Sequence, residues 1–344
     1  MTNGIYTLAN DVVYDQLVAL LNSIEANAGR EIPVCVIPYD RRLDKVRAEI
    51  TSRKNVTLFE NESAIAYWEN FVTQAWKTHP RTQRVWREWG VTGTYRLAMH
   101  RKLCGLNGPF DKFIYFDADT LLMGSLDYVY QKLDNYDWVA NDFQYRSNLK
   151  YIFDGSPELL RKVFTQEQLS YQIFCAGWFA AKKQIFTETM LADLLEKLKS
   201  GEADVMALGG PDQSLFNYMV LRSGVSYYNF AYHDVDQVTG NHWSSKFDVV
   251  DNILYDQGRQ LTYLHYMSIG SSQFTRLCAG EDVDIPYRDV FLYYRYLLSP
   301  ESRPKTFNLP SPLTRLQRST SSFLSHKAKR FMHKYRTFKE KISK

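Results

Sequence analysis

Phe113-Ile-Tyr-Phe-Asp117-Ala-Asp119-Thr120 is an apolar, aromatic and β-branched run that ends in two carboxylates two residues apart. It is too short for a convincing helix and follows Gly105, Gly108 and Pro109, so its composition predicts a buried strand. Alternate residues of a strand share a face, so Asp117 and Asp119 can point the same way and hold one divalent ion against a bound phosphate. The bland alternative is a loop that begins with two solvated acids, and only the surrounding sequence separates the two.

Upstream, strand and helix patterns alternate: a strand at 5–9, a helix at 11–27 with Val13, Leu17, Leu20, Leu21 and Ile24 on one face, a strand at 34–37, a helix at 43–50 and a strand at 56–58. This is the order of a parallel, Rossmann-like α/β sheet. Residues 61–93 are rich in Trp and Arg and give no strand pattern, and 95–106 reads as a helix leading into the Asp117 strand. Downstream, 138–140, 174–181 and 261–265 read as strands, and 183–199 and 212–221 as helices. Residues 141–170 carry no readable period. A linker with Pro300, Pro304, Pro310 and Pro312 follows, and then Leu324, Ala328, Phe331, Tyr335, Phe338 and Ile342 recur at helical spacing among basic residues. The expected organisation is a globular body over 1–299 and a linker with a basic amphipathic helix over 300–344.

The 344 residues, 45% of them hydrophobic, suffice for a sizeable core. Net charge is +4, but from Leu313 onward ten Lys/Arg face the single acid Glu340, which leaves 32 Lys/Arg against 37 Asp/Glu upstream. Cys35, Cys104, Cys175 and Cys278 are widely spaced with no C-x-x-C pair, which predicts reduced, buried thiols and argues against a disulfide-stapled secreted domain. No secretory leader pattern opens the chain and no eighteen apolar residues run together, so the expectation is a cytoplasmic protein. The sequons at Asn55 and Asn61 are read as coincidental.

In open α/β sheets ligands bind beyond the carboxyl ends of the strands. Three features fall there: Asn10 with Asp11, the Asp117/Asp119 pair, and His265. An imidazole added to two carboxylates favours manganese over magnesium. Gly209-Gly-Pro-Asp212-Gln213 places an acid and an amide at a helix start, where the dipole also draws polar ligands; an ordinary N-cap is the plainer reading. G-x-G-x-x-G, the Walker loop, H-E-x-x-H and G-x-S-x-G are all absent, so a diphosphate would have to be held through a metal.

Tyr6-Thr-Leu-Ala-Asn10-Asp11, Thr94-Tyr-Arg96-Leu, Asp111 to Leu126 with its Asp117-Ala-Asp119 core, Phe174-Cys-Ala-Gly177, Asp212-Gln213 and His265-Tyr266 together resemble, in order, the motifs of family-8 glycosyltransferases. The resemblance implies a GT-A fold: α/β, Rossmann-like, with a mixed, mainly parallel sheet. It also implies transfer of a sugar from a nucleotide diphosphate sugar, usually a UDP-sugar, with Mn2+ and retention of anomeric configuration, to a glycan or lipid-linked acceptor. By that resemblance Leu8, Ala9, Asn10 and Asp11 would touch base and ribose, Arg96 the donor, and Asp117, Asp119 and His265 the metal. Ala176 and Gly177 would flank the donor sugar, with Asp212 and Gln213 at the reacting carbon. Cys175 stands where the family has Asn. No Lys-Pro-Trp follows the histidine, and Gly270 comes five residues after it, which leaves Arg276 or Lys246 to meet the pyrophosphate.

A haloacid-dehalogenase-type phosphatase also begins at a strand ending D-x-D, but it wants Thr or Val where Leu121 stands. A non-catalytic nucleotide-sugar-binding protein is the other alternative. The basic tail resembles the membrane-surface tail of bacterial lipooligosaccharide galactosyltransferases. An anionic membrane surface is therefore the expected partner of residues 313–344, on the inner face, and nucleic acid is not expected.

Overall fold

The computed structural model describes residues 2–29, 31–141, 149, 151–234 and 239–310. A seven-stranded sheet is built from β1 (Asn3–Ala9), β2 (Val34–Pro38), β3 (Val56–Leu58), β4 (Lys112–Asp117), β6 (Trp138–Ala140), β7 (Trp178–Lys182) and β8 (Tyr227–Asn229), in the order β3-β2-β1-β4-β7-β6-β8. The first four strands are parallel; β7 runs against both β4 and β6, and β6 is again parallel to β8. The sheet is mixed and mainly parallel, as expected for the fold class. The opening alternation reappears almost residue for residue as β1, α1 (Tyr14–Asn27), β2, α2 (Asp44–Thr51) and β3.

The 113–116 run is buried on both faces because β4 is central. Phe113 and Tyr115 face a core shared with Tyr6 and Phe179, and Ile114 and Phe116 face one shared with Ile5 and Trp178. A continuously apolar run, rather than an alternating one, is the signature of such a strand. The Trp-rich stretch forms two helices, α3 (Glu62–Lys77) and α4 (Thr82–Glu88), which send Trp68, Trp76 and Trp86 into the first of these cores. Asn61 accepts from the Ala64 N–H at 3.0 Å and so caps α3. Residues 97–107 form tight 3-10 turns, entered through Arg96 at φ 52°.

Two expected elements are shorter than the sequence suggested. Residues 174–177 are not strand, because Asn217 draws off the Phe174 backbone, accepting from its N–H at 3.0 Å and donating to its C=O at 2.8 Å. The helix expected from 183 begins at α5 (Glu188–Lys199), since Gln184 takes φ 57° and Thr187 provides the N-cap. The later helix is α6 (Pro211–Ser223), started by Pro211 and closed by Gly224 at φ 81°.

Immediately after β4 the chain forms β5 (Thr120–Leu122), which pairs with β12 (Tyr263–His265) in the register His265 to Thr120. A small antiparallel meander of β9 (Asp248–Val250), β10 (Ile253–Asp256) and β11 (Arg259–Gln260) precedes β12. A third core under β5 and β12 is closed by Phe274 of α7 (Ser271–Cys278) and Phe291 of α8 (Arg288–Arg295). Past Ser299 the chain turns back on this part: Asn308 bridges to Glu281, and the Arg288 guanidinium lies 4.3 Å from the Phe307 ring. The expected amphipathic helix lies outside the described residues. No helix among the described residues is long and apolar enough to cross a membrane. Cys35, Cys104 and Cys175 are buried and Cys278 is half-buried, and burial pushes the Cys35 thiol up to about 11 and the Cys104 thiol up to about 12.

Candidate functional site

β4 delivers Asp117 to the carboxyl edge of the sheet, and the turn that follows carries Asp119 beside it. The pairing of β12 with β5 fixes His265 opposite Thr120, so a residue 146 positions away in sequence meets the acidic pair. Ligand atoms of Asp117, Asp119 and His265 all lie within 4.8 Å of one another. His265 Nε2 is 3.3 Å from Asp119 Oδ1. Burial opposes a charge on His265, but Asp119 and the Cys175 thiol outweigh it and hold the imidazole pKa well above its usual value. Burial likewise opposes ionisation of Asp119, and His265 and Lys102 overcome it, so its carboxyl is held below the usual range.

The cradle fits a cation. A Cβ on Gly177 would come within 2.4 Å of His265 Cε1 and 2.9 Å of Asp117 Oδ2, so only glycine leaves these groups their positions. Two carboxylates and an imidazole, converging in a space that a methyl group would fill, form a donor set that fits a divalent cation.

Behind the triad lies a residue that the sequence reading missed. Lys102 is 1% exposed, and its ammonium donates to Asp117 Oδ2 (3.3 Å, with Oδ1 3.0 Å away), Asp212 Oδ2 (3.0 Å) and the Ala176 carbonyl (3.1 Å). Desolvation would lower its pKa, but the two carboxylates more than reverse this and keep the amine charged. The same contact with Lys102 holds Asp212 ionised against its burial. Tyr115 Oη donates to Asp117 Oδ1 at 2.7 Å. Lys102 thus ties the metal-side carboxylate to the acid at the start of α6.

These groups open onto a cleft of about 410 Å3 lined by Leu8, Ala9, Asn10, Arg42, Arg96, Asp117 and Asp119, with Ile269 and Ser271 on its far side. Asn10 is fixed by donating to Asp40 (2.9 Å) and accepting from the Val12 N–H (3.0 Å). Asp11 is placed differently: its carboxylate accepts from the N–H groups of Asp44, Lys45 and Val46 at 3.0–3.1 Å and caps α2. Ala176 and Gly177 are buried and do not line the cleft: the Ala176 carbonyl accepts from Lys102, and Gly177 packs against His265 and Asp117. Gln213 Oε1 accepts from the Ala176 N–H at 2.7 Å and its amide N–H donates to the Phe174 carbonyl, so both ends are engaged with the 174–177 loop. Arg276 is paired with Glu281, and neither it nor Lys246 lines the cleft. Arg42, clamped by Asp40, does line it.

No protein-family model matches this sequence, and no curated protein does. In fold, the chain is similar to the apo structure of the WbbM bifunctional glycosyltransferase, at 16% identity over 86% of this chain and 49% of that one, with a TM-score of 0.53. The chain has the GT-A fold of glycosyltransferases. It spans about half the length of the WbbM chain. Also similar are the galactosyltransferase LgtC in complex with donor and acceptor sugar analogues (15% identity, 84% of this chain and 100% of that one, TM-score 0.49) and the glycosyltransferase GlyE of Streptococcus pneumoniae TIGR4 (12%, 91% and 66%, TM-score 0.47).

Proposed function

We propose that this protein is a glycosyltransferase that moves a sugar from a nucleotide diphosphate sugar, a UDP-sugar, to a glycan or lipid-linked acceptor, with Mn2+ and retention of configuration. The carrying observation is the convergence of Asp117, Asp119 and His265 beside Gly177, with Asp117 and Asp119 opening onto a cleft that Leu8, Ala9 and Asn10 also line. When bound, the cation supplies a positive charge against the negative charge that grows on the departing diphosphate.

The chain's own residues do the rest. Leu8, Ala9 and Asn10 offer an apolar edge and a fixed amide to base and ribose, and Asp11 keeps that edge in place through α2. Arg96, Arg42 and the N-terminus of α7 at Ser271 line the cleft and provide the positive potential that Lys-Pro-Trp provides in the family. Ala176 and Gly177 let the donor sugar approach closely, while ionised Asp212 accepts from its hydroxyls. Gln213 holds the loop at the reacting carbon, where developing positive charge is stabilised by nearby carboxylates. Residues 1–299 are the catalytic body. Residues 313–344 hold this cytoplasmic enzyme to the anionic inner face of the membrane.

The test is transfer and hydrolysis of a panel of nucleotide sugars with Mn2+ or with EDTA. The reading expects one UDP-sugar to turn over with Mn2+ only, and Asp119→Ala to abolish that turnover. Metal-independent turnover, or full activity in D119A, would overturn it.

A further inference from the structure

The 174–177 segment forms no strand, yet its backbone is held on both flanks of Cys175. Asn217 accepts from the Phe174 N–H at 3.0 Å and donates to its carbonyl at 2.8 Å, and Gln213 accepts from the Ala176 N–H at 2.7 Å. The Ala176 carbonyl accepts from the Lys102 ammonium at 3.1 Å, and the Gly177 carbonyl from the Asp117 N–H at 2.8 Å. The loop is therefore fixed from two sides, by α6 and by β4. Cys175, itself buried, is the side chain with a heteroatom that this loop presents.

The Gly177 N–H donates to the Cys175 sulfur at 3.4 Å, and the Cys175 side chain hydrogen-bonds the imidazole of His265. Loop and ring lie in contact here, since a Cβ on Gly177 would fall 2.4 Å from His265 Cε1 and 3.1 Å from Nε2. The ring also meets Asp119, with Nε2 3.3 Å from Oδ1. These two partners differ in kind. Asp119 belongs to the group of ligand atoms that lie within 4.8 Å of one another, and the Cys175 sulfur does not. With a cation in place Asp119 is engaged as a ligand, which leaves the thiol as the side chain that holds the ring. Backbone pairing cannot take its place: β12 fixes the main chain of His265 against Thr120, and its N–H donates to the Asn241 carbonyl at 2.7 Å, but both side-chain torsions stay open to rotation. A ligating imidazole needs a partner outside the ligand set to fix its ring.

We infer that Cys175 is a positioning residue of the metal centre: its thiol, set by the 174–177 loop, holds the His265 ring in the orientation that ligates a divalent cation. The cation rests on the metal-dependent reading above; the contact of thiol with ring does not. Through the same loop Gln213, and with it the start of α6, is tied to a metal ligand.

The test is titration of Mn2+ in the presence of UDP, read by electron paramagnetic resonance, into the full chain and its Cys175→Ala, Cys175→Val and Cys175→Ser variants. C175A and C175V should bind Mn2+ about tenfold or more weakly, the usual cost of removing the partner of a metal-bound histidine. C175S keeps a donor and an acceptor and should recover most of the affinity. C175V fills the space of the thiol, which separates a lost hydrogen bond from an empty cavity, and it decides should C175A melt early. Nitrogen NMR of histidine-labelled, metal-free protein, with His265 assigned through H265Q, should show its ring signals moved in C175A and C175V and restored towards their places in C175S. Co2+ should bind without sulfur-to-metal charge-transfer absorption. Undiminished Mn2+ affinity in folded C175A or C175V, or unmoved ring signals, would overturn the inference. So would a sulfur-to-cobalt band, which would make Cys175 a ligand. A chain that binds Mn2+, loses it in C175A and turns over no nucleotide sugar would sink the glycosyltransferase reading and leave this one standing; a chain that binds no Mn2+ would sink both.

Discussion

Lys102 sets the charge balance of the site. Three acids gather around one cleft edge, and their mutual repulsion is offset by an ammonium with no access to water. Replacing it by Met leaves Asp117 and Asp212 without that charge. Removing one partner of a buried ion pair costs about 3–5 kcal/mol, so denaturant unfolding of K102M should show a loss of that order together with lost turnover. A loss below about 1 kcal/mol, the worth of an exposed pair, would contradict the bridging role. Gly177→Ala should act on function more than on fold. Its Cβ must displace His265 or Asp117, so Mn2+ should no longer raise the melting temperature of G177A, while overpacking costs only about 1–3 kcal/mol. Asp117 and Asp119 were legible as a pair because they end an apolar run that reads as a strand, and the surrounding motifs, not the pair alone, set them apart from two solvated loop acids. Lys102 was not: lysines are seldom buried, and Arg101 beside it makes an ordinary ion pair with Glu69 at 2.7 Å. Nothing in the sequence joins it to Asp117 and Asp212, which lie 15 and 110 positions away.

At the scale of elements, local period identified the strands and helices that are amphipathic or wholly apolar, such as β1, α1 and β4. It failed where side chains from elsewhere take the backbone hydrogen bonds, as Asn217 and Gln213 do at 174–177. The link from α3 to α4 turns on His79, whose Nδ1 accepts from the Arg81 N–H at 3.2 Å while Nε2 lies 3.2 Å from the Met206 carbonyl. Burial, with Arg81 adding to it, lowers the His79 pKa below 6.5, so the folded state binds its proton less readily than the unfolded chain does. The stability His79 contributes is therefore present above the unfolded pKa and lost as pH falls through the folded one. Urea unfolding at about pH 7.5 and about pH 5.5 should show the gap between the unmodified protein and H79Q shrinking at the lower pH. A gap that is constant, or that widens in acid, would contradict a neutral His79.

For the molecule as a whole, the GT-A arrangement follows from the position of the D-x-D strand. β4 is central, β1 lies beside it in parallel, and the return strand β12 reaches it across the β5 pairing. The parallel half was legible from its alternation. The antiparallel insertion of β7 was not, because it depends on contacts between segments that share no local pattern. Charge is also divided on this scale, between an acidic body and a basic tail. With about 1 kcal/mol per basic residue near anionic lipid, the full chain should float with phosphatidylserine vesicles, and a chain with the Lys/Arg of 313–344 replaced by Gln should not. Equal flotation of both would remove the tail as anchor. The central claim, that Asp117, Asp119 and His265 grip a divalent ion for a nucleotide diphosphate, is tested most directly by electron paramagnetic resonance of Mn2+ titrated into the protein with UDP. The account predicts a single UDP-dependent Mn2+ site that disappears in D119A, and an unchanged Mn2+ site in D119A would contradict it.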